Sequence, residues 1–313
     1  MRRYVAAALF TLLMAVLLIP GTGLAGPKQL EEPLLKFAVF SDVHVMDAWS
    51  IDHYKSTYKF THALRDIAPL KPEFLVINGD LSNGRPKDLE LVQTINKANG
   101  NFKLYPTMGN HEYYYQWENP EWNDNKAKAV FRNVFRLKKL YYDHFEQGAH
   151  FIHLSPEQYM DKQKVIGEAA WLSDEQISWF EKTLLSSKAP TFVFLHQPLD
   201  KTVGKTDNGV SAVQTNQLLA IAGKHPQVIW FSGHSHVSIT APTEFLQRDN
   251  ITFVGLGSVY QPIVDRIADH FKSESRFVEL YRDRIVIRDR FHHKNSFGET
   301  YTIPISDKSL LKP

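Results

Sequence analysis

Cysteine is absent from the 313 residues, which excludes disulfides, thiolate metal sites and a cysteine nucleophile together. Any metal must be held by His, Asp, Asn or Glu. An excess of charge is nearly absent too: 36 Lys and Arg stand against 34 Asp and Glu, a formal charge of +2. Two of the positive residues, Arg2 and Arg3, lie in a segment expected to be removed, which leaves the remainder close to neutral. That balance argues against an electrostatic nucleic-acid binder, which shows a surplus of basic residues. There is no internal repeat, no low-complexity tract and no clear linker beyond Pro33. Hydrophobic residues make up 43% of the chain and aromatics 12%, ample for a packed core.

The first residues have the layout of a secretory signal. Met1-Arg2-Arg3 is a positive flank, Tyr4 to Ile19 is almost wholly apolar, and Gly23-Leu24-Ala25 offers small residues for cleavage. Residues 1–25 are therefore expected to be a signal peptide, 26–33 a short tether and 34–307 the folded domain, with the protein secreted or extracytoplasmic. The competing reading is an uncleaved membrane anchor, because the apolar stretch is only slightly short of the ~20 residues that span a bilayer. In that case the N-terminal segment alone would meet the membrane.

Short apolar runs punctuate the first two thirds of the chain, and each is followed at once by polar residues. Leu34 to Phe40 ends in Ser41-Asp42-Val43-His44. Phe74 to Ile77 ends in Asn78-Gly79-Asp80-Leu81-Ser82-Asn83-Gly84. Phe102 to Pro106 leads into Thr107-Met108-Gly109-Asn110-His111-Glu112. Thr191 to Leu195 delivers His196, and Val228 to Phe231 delivers Ser232-Gly233-His234-Ser235-His236. Continuous runs of this kind read as strands buried on both faces. Between them, Tyr54 to Ile67, Asp88 to Ala98, Asn125 to Lys138, Ser173 to about Leu185 and Ala212 to Ala222 read as helices. Ser173 with Gln176 forms a capping box, and Gly223 closes the last helix. Ala149 to Leu154 reads as a strand whose His150 and His153 are structural. The region from Tyr113 to Gln147 is otherwise irregular, and the tail after Val237 has β character in Ile251 to Leu256, Ser275 to Tyr281 and Arg284 to Arg288.

In α/β sheets, loops at the carboxyl ends of strands meet in one crevice. Asp42, His44, Asp80, Asn110, His196, His234 and His236 would meet there, with His111 beside them. Seven such ligands are too many for one tetrahedral zinc and suit two ions of octahedral tendency. Extended backbone through Asp42–His44 and His234–His236 would put both members of each pair on one face. Taken singly, each residue has a plain alternative as a turn aspartate or a hydrogen-bonded histidine. Five such placements in this order do not.

In that order, Asp42-x-His44, Gly79-Asp80, Gly109-Asn110-His111-Glu112, His196 and Gly233-His234-x-His236 resemble the signature of the calcineurin-like metallophosphoesterase superfamily. The resemblance runs from about Leu34 to His236. It implies a four-layer α/β/β/α sandwich with two mixed β-sheets and a binuclear metal site at the strand C-terminal ends, the β-rich tail fitting the second sheet. It implies two divalent or transition-metal ions (Mn, Fe or Zn), one held by Asp42, His44, Asp80 and His236, the other by Asp80, Asn110, His196 and His234. The implied reaction is hydrolysis of a phosphodiester or phosphomonoester of a small molecule by a metal-bridging hydroxide, with His111 as the catalytic residue. Glu112 would orient His111 or fix the loop.

Met108 stands where phosphoprotein phosphatases have an arginine, and Asn83 with His44 departs from the purple acid phosphatase pattern. The bacterial phosphodiesterase and general phosphoesterase branch is the better match. Two alternatives remain: cleavage of phosphoanhydrides of the nucleotide-sugar type, and a non-catalytic binding module on the same fold. The aromatic cluster Tyr113, Tyr114, Tyr115, Trp117 and Trp122 would either wall the pocket or bury itself. Arg136, Lys138 and Lys139 read as a solvated helix face, and His292-His293-Lys294 carries no assignment.

Overall fold

The computed structural model describes residues 31–47, 51–204 and 210–305. The expected signal peptide, most of the tether and the last two residues of the expected domain lie outside them. The strands are β1 (Leu35–Phe40), β2 (Phe74–Asn78), β3 (Lys103–Thr107), β4 (Tyr142–Glu146), β5 (Ala149–His153), β6 (Thr191–Phe194), β7 (Val228–Ser232), β8 (Phe245–Arg248), β9 (Ile251–Gly255), β10 (Ile263–Val264), β11 (Ile267–Ala268), β12 (Glu274–Leu280), β13 (Arg284–Phe291) and β14 (Ser296–Pro304). The helices are α1 (Ile51–Ile67), α2 (Pro86–Asn99), α3 (Asp124–Phe135), α4 (Gln163–Ile166), α5 (Asp174–Leu184) and α6 (Thr215–Ala222). Among the described residues, no helix is long and apolar enough to cross a membrane.

Two six-stranded mixed sheets carry the fold, in the orders β14-β13-β12-β1-β2-β3 and β4-β5-β6-β7-β9-β8. Strands β1, β2 and β3 run parallel, as do β5, β6, β7 and β9, so their carboxyl ends share one edge. Alternation along each buried strand then sorts the side chains into layers. Phe37 and Val39 face inward, where Phe37 stacks on Phe74 at 5.1 Å and meets Phe151 and Phe192 edge-on. Ala38 and Phe40 face outward onto Phe60, Ala63 and Leu64 of α1. On the other sheet Val193 and Trp230 pack outward on Phe180 of α5 and Leu218 of α6. The result is the expected α/β/β/α order of layers.

The tail does not form the second sheet as expected. Strands β12 to β14 extend the first sheet beside β1, and only β8 and β9 complete the second. Helix α3 stops at Phe135 rather than Lys138, because Arg136 takes a left-handed φ of 56° and caps it. Helix α6 begins at Thr215 rather than Ala212. The capping box is half made: Ser173 Oγ accepts from Gln176 N–H at 3.1 Å, but the Gln176 side chain turns to Ser155, and Ser173 N–H donates to Glu157.

Candidate metal centre

Five loops at the shared edge bring the expected residues together. Asp42 and His44 follow β1, Asp80 follows β2, Asn110 and His111 follow β3, His196 follows β6, and His234 and His236 follow β7. The loops are stitched by backbone bonds, Val43 and His44 N–H both donating to the Asp80 carbonyl at 3.0 Å and Gly233 N–H to that of His196 at 2.9 Å. The pairs do not converge through extended backbone, as the spacing suggested. Asp42, His44, Asp80, His234 and His236 have φ of 54°, 47°, 52°, 66° and 54°, so tight left-handed turns aim the side chains at one void. Crowding explains two glycines: a Cβ on Gly79 would strike the His196 ring, and one on Gly109 would strike Asp80.

Two groups of ligand atoms result, Asp42-His44-Asp80-His236 and Asp80-His196-His234, each with its atoms within 4.8 Å of one another. Asp80 belongs to both. Its Oδ2 lies 3.1 Å from His196 Nε2 and 4.0 Å from His44 Nε2, and Asp42 Oδ1 lies 3.0 Å from His236 Nε2. Carbonyl oxygens fix two of the rings from behind: His196 Nδ1–H donates to Asn78 at 2.7 Å and His236 Nδ1–H to Gln261 at 2.9 Å. That leaves Nε2 of each for the void, as outer partners do around ligating histidines.

The charges show what the void suits. Burial opposes ionisation of Asp42, yet His236 and His196 hold its carboxyl at about 2. Burial also acts against His196, but Asp80 and Asp42 push it up to about 10. Burial and the His111 charge bring His44 down to about 3, and burial with the His196 charge does the same to His234. Two buried carboxylates thus call for positive charge in the void, which cations supply when the imidazoles coordinate as neutral rings. Asp42 Oδ1 and His196 Nε2 make no well-aligned hydrogen bond, only the close approaches to His236 and Asp80 given above. An oxygen and imidazole donor set with poorly satisfied atoms around a shared carboxylate fits a pair of divalent or transition-metal ions.

Asn110, His111 and Glu112 divide the remaining work. Asn110 Nδ2 donates to Glu168 at 2.7 Å and to Tyr114 Oη at 3.2 Å, while its Oδ1 accepts only a long 3.5 Å bond from Gln197. His111 Nδ1 lies 2.8 Å from Asn83 Oδ1, its ring stacks on Tyr114 at 3.9 Å, and its Nε2 stands 3.8 Å from Asp80 Oδ2. Glu112 makes no bond to His111. It accepts the N–H groups of Asp80, Leu81, Ser82 and Gly109 at 2.7 to 3.1 Å, and so fixes two loops to each other.

The aromatic cluster splits. Tyr113 is buried in the core, Tyr115 packs edge-on against Trp122, Trp117 is 63% exposed, and Tyr114 alone reaches His111. Lys139 pairs with Glu175 at the surface, and His292 is a buried partner of Asp66. Sequence reasoning missed Asn83, Glu168 and Gln197 as partners of the site. Asn83 sits in the same short loop as Asp80 and was within reach of that argument. Glu168, 58 positions from Asn110, carries no local signal.

The profile of the calcineurin-like phosphoesterase family matches residues 35–238. Among solved structures, a dimetal phosphatase from Danio rerio is similar with a TM-score of 0.64 and 16% identity, over 88% of this chain and 100% of that one. A purple acid phosphatase from yellow lupin seeds gives 0.62 and 14%, over 89% of this chain and 55% of that one. The anchor protein of the inner membrane complex of Plasmodium gives 0.61 and 13%, over 88% and 90%. At such identities these likenesses speak for the fold alone. No curated protein sequence matches the chain.

Proposed function

The chain belongs to the calcineurin-like phosphoesterase family and is a metal-dependent phosphoric ester hydrolase, and from that premise we propose that it hydrolyses phosphodiesters or phosphomonoesters of small molecules at a centre of two cations. Asp42, His44, Asp80 and His236 would hold one, and Asp80, Asn110, His196 and His234 the other. The observation that carries the reading is the place of Asp80 in both ligand groups. Ions of the Mn, Fe or Zn kind, when bound, lower the pKa of water and neutralise charge on phosphoryl oxygens.

The chain's own residues do the rest. Asp80 Oδ1 accepts the His111 N–H at 3.0 Å, which leaves Oδ2 toward the void. Asn110 is held by Glu168 through its amide nitrogen, so its oxygen is the atom available to a cation. His111 is the catalytic residue. With Nδ1–H held by the Asn83 oxygen and Nε2 over the void, the ring in its doubly protonated form stabilises charge on the phosphoryl group and gives its Nε2 proton to the departing oxygen, returning to the neutral Nδ1–H ring.

Metal analysis after Mn²⁺ loading, paired with turnover of an aryl phosphate monoester and its diester, tests the reading. About two ions per chain and hydrolysis of at least one ester are expected; less than one ion per chain would overturn it. We also read residues 1–25 as an export signal, on their sequence alone. A secreted chain beginning near Gly26 supports this, and a chain retained in membranes with Arg2 and Arg3 intact refutes it.

A further inference from the structure

Within the aromatic cluster Tyr114 alone packs against His111, and the local helix type puts it there. Residues His111–Trp117 form a 3₁₀ helix, in which side chains three apart eclipse one another, so Tyr114 is laid over His111. The two rings stack at 3.9 Å with 30° between their planes. The far end of Tyr114 is clamped. Its hydroxyl donates to Glu168 Oε2 at 2.9 Å and accepts from Asn110 Nδ2 at 3.2 Å, and that nitrogen also donates to Glu168 Oε2 at 2.7 Å. Glu168 is itself held through Oε1, which accepts the Tyr159 hydroxyl at 2.8 Å, and through its carbonyl, which accepts Gln197 Nε2 at 3.2 Å. Tyr159 is buried, so this chain of contacts ends in the core.

His111 needs such a neighbour. Its side chain is 26% exposed, and one hydrogen bond, from Nδ1–H to Asn83 Oδ1 at 2.8 Å, fixes a point of the ring but not its plane. His44 adds only an edge-on contact at 4.5 Å and 78°. A flat face against the imidazole selects one plane, and in that plane Nε2 stands 3.8 Å from Asp80 Oδ2. We propose that Tyr114 is a positioning residue for His111: its ring holds the imidazole with Nε2 over the void, and its hydroxyl ties that setting through Glu168 to Asn110. The amide offered to a cation and the ring that hands over the proton then share one anchor, which sets them at a fixed distance from each other. The inference rests on the centre being a phosphoesterase site.

Two variants separate the ring from the hydroxyl. Tyr114→Leu should lower kcat about 10- to 100-fold, the scale of a ~1 Å misplacement, with KM and Mn²⁺ content those of the parent. The loss should be greater for a phenyl ester than for the matching 4-nitrophenyl ester, because the poorer leaving group depends more on the proton. Tyr114→Phe keeps the ring face and should keep most of the turnover. In a His111→Ala background Tyr114→Leu should cost nothing further, since the tyrosine acts through the histidine. A second measurement needs no cations: NMR of the chelated, histidine-labelled chain, with the His111 ring signals assigned by their absence from His111→Ala. Those signals lie in the ring current of Tyr114, and they should move downfield in Tyr114→Leu and stay in Tyr114→Phe. Unmoved signals, an unchanged kcat in Tyr114→Leu, or the same loss in the His111→Ala background each overturn the inference. Signals that move as expected beside a parent that hydrolyses neither ester keep the placement of His111 and instead remove the phosphoesterase reading.

Discussion

Histidines gather at two places in this molecule: at the strand ends, where His44, His196, His234 and His236 surround Asp42 and Asp80, and along β4 and β5, where His144, His150 and His153 stack with aromatic rings. His144 lies 3.8 Å from the Tyr105 ring, and His153 lies 4.5 Å from Tyr142 and 4.9 Å from Phe194. Neither has a hydrogen-bond partner on either nitrogen. Burial brings His144 down to about 3 and His153 well below the ordinary imidazole range. At the strand ends the same burial also brings His44 and His234 to about 3, but beside Asp80 and Asp42 it is overcome at His196, which rises to about 10, and at His236, which is also raised. Burial alone turns an imidazole into a neutral packing plate; a buried carboxylate oxygen at 3.0 to 3.1 Å, as at His196 and His236, reverses that, whereas His44, 4.0 Å from Asp42 and Asp80, stays low.

Removing the anion is the strongest way to break this contrast. Asp80→Asn should lower turnover by more than about 10⁴-fold, because both cations lose their shared ligand, and metal analysis should show the loss. Next comes His111→Ala, expected to cost roughly 10²- to 10⁴-fold in kcat while the metal content stays that of the parent. Equal turnover in that variant would remove His111 from its role. Glu168→Ala should weaken Mn²⁺ affinity about 10- to 100-fold through Asn110, and Glu168→Gln, which keeps an acceptor, should restore most of it.

The smallest effect belongs to the other cluster. His153 is neutral in the fold and takes a proton in the unfolded chain below about pH 6.5, so its contribution is intact above that pH and is lost as pH falls. The slope is about 1.4 kcal/mol per pH unit. His153→Phe should flatten the acid side of the stability curve by about that amount, read from urea unfolding between pH 6.5 and 4, with turnover unchanged. An unaltered slope would mean that His153 is protonated in the fold.

The two regions were unequally legible in the sequence. Strands β1, β2, β6 and β7 announce themselves as apolar runs because both of their faces are buried. Strands β4 and β14 pass unnoticed, since an edge strand such as Tyr-Asp-His-Phe-Glu is partly exposed along its length and has no core pattern to show. At the site, chemistry was legible and backbone was not. Asp42 and His44 could be paired by spacing, yet the left-handed turns that aim them leave no trace in residue type. Glu112 left two roles open until its four backbone donors were visible.

Those left-handed turns have a consequence for the protein as a whole. Each non-glycine residue so placed costs roughly 1–2 kcal/mol, and Asp42, His44, Asp80, His234 and His236 are all in that region. Their sum is comparable with the ~5–15 kcal/mol that keeps an ordinary domain folded. Whatever ions the loops accept must also hold them shut, so dialysis against a chelator should act on this molecule much as mild heating does, bringing its melting transition down and opening the loop edge first.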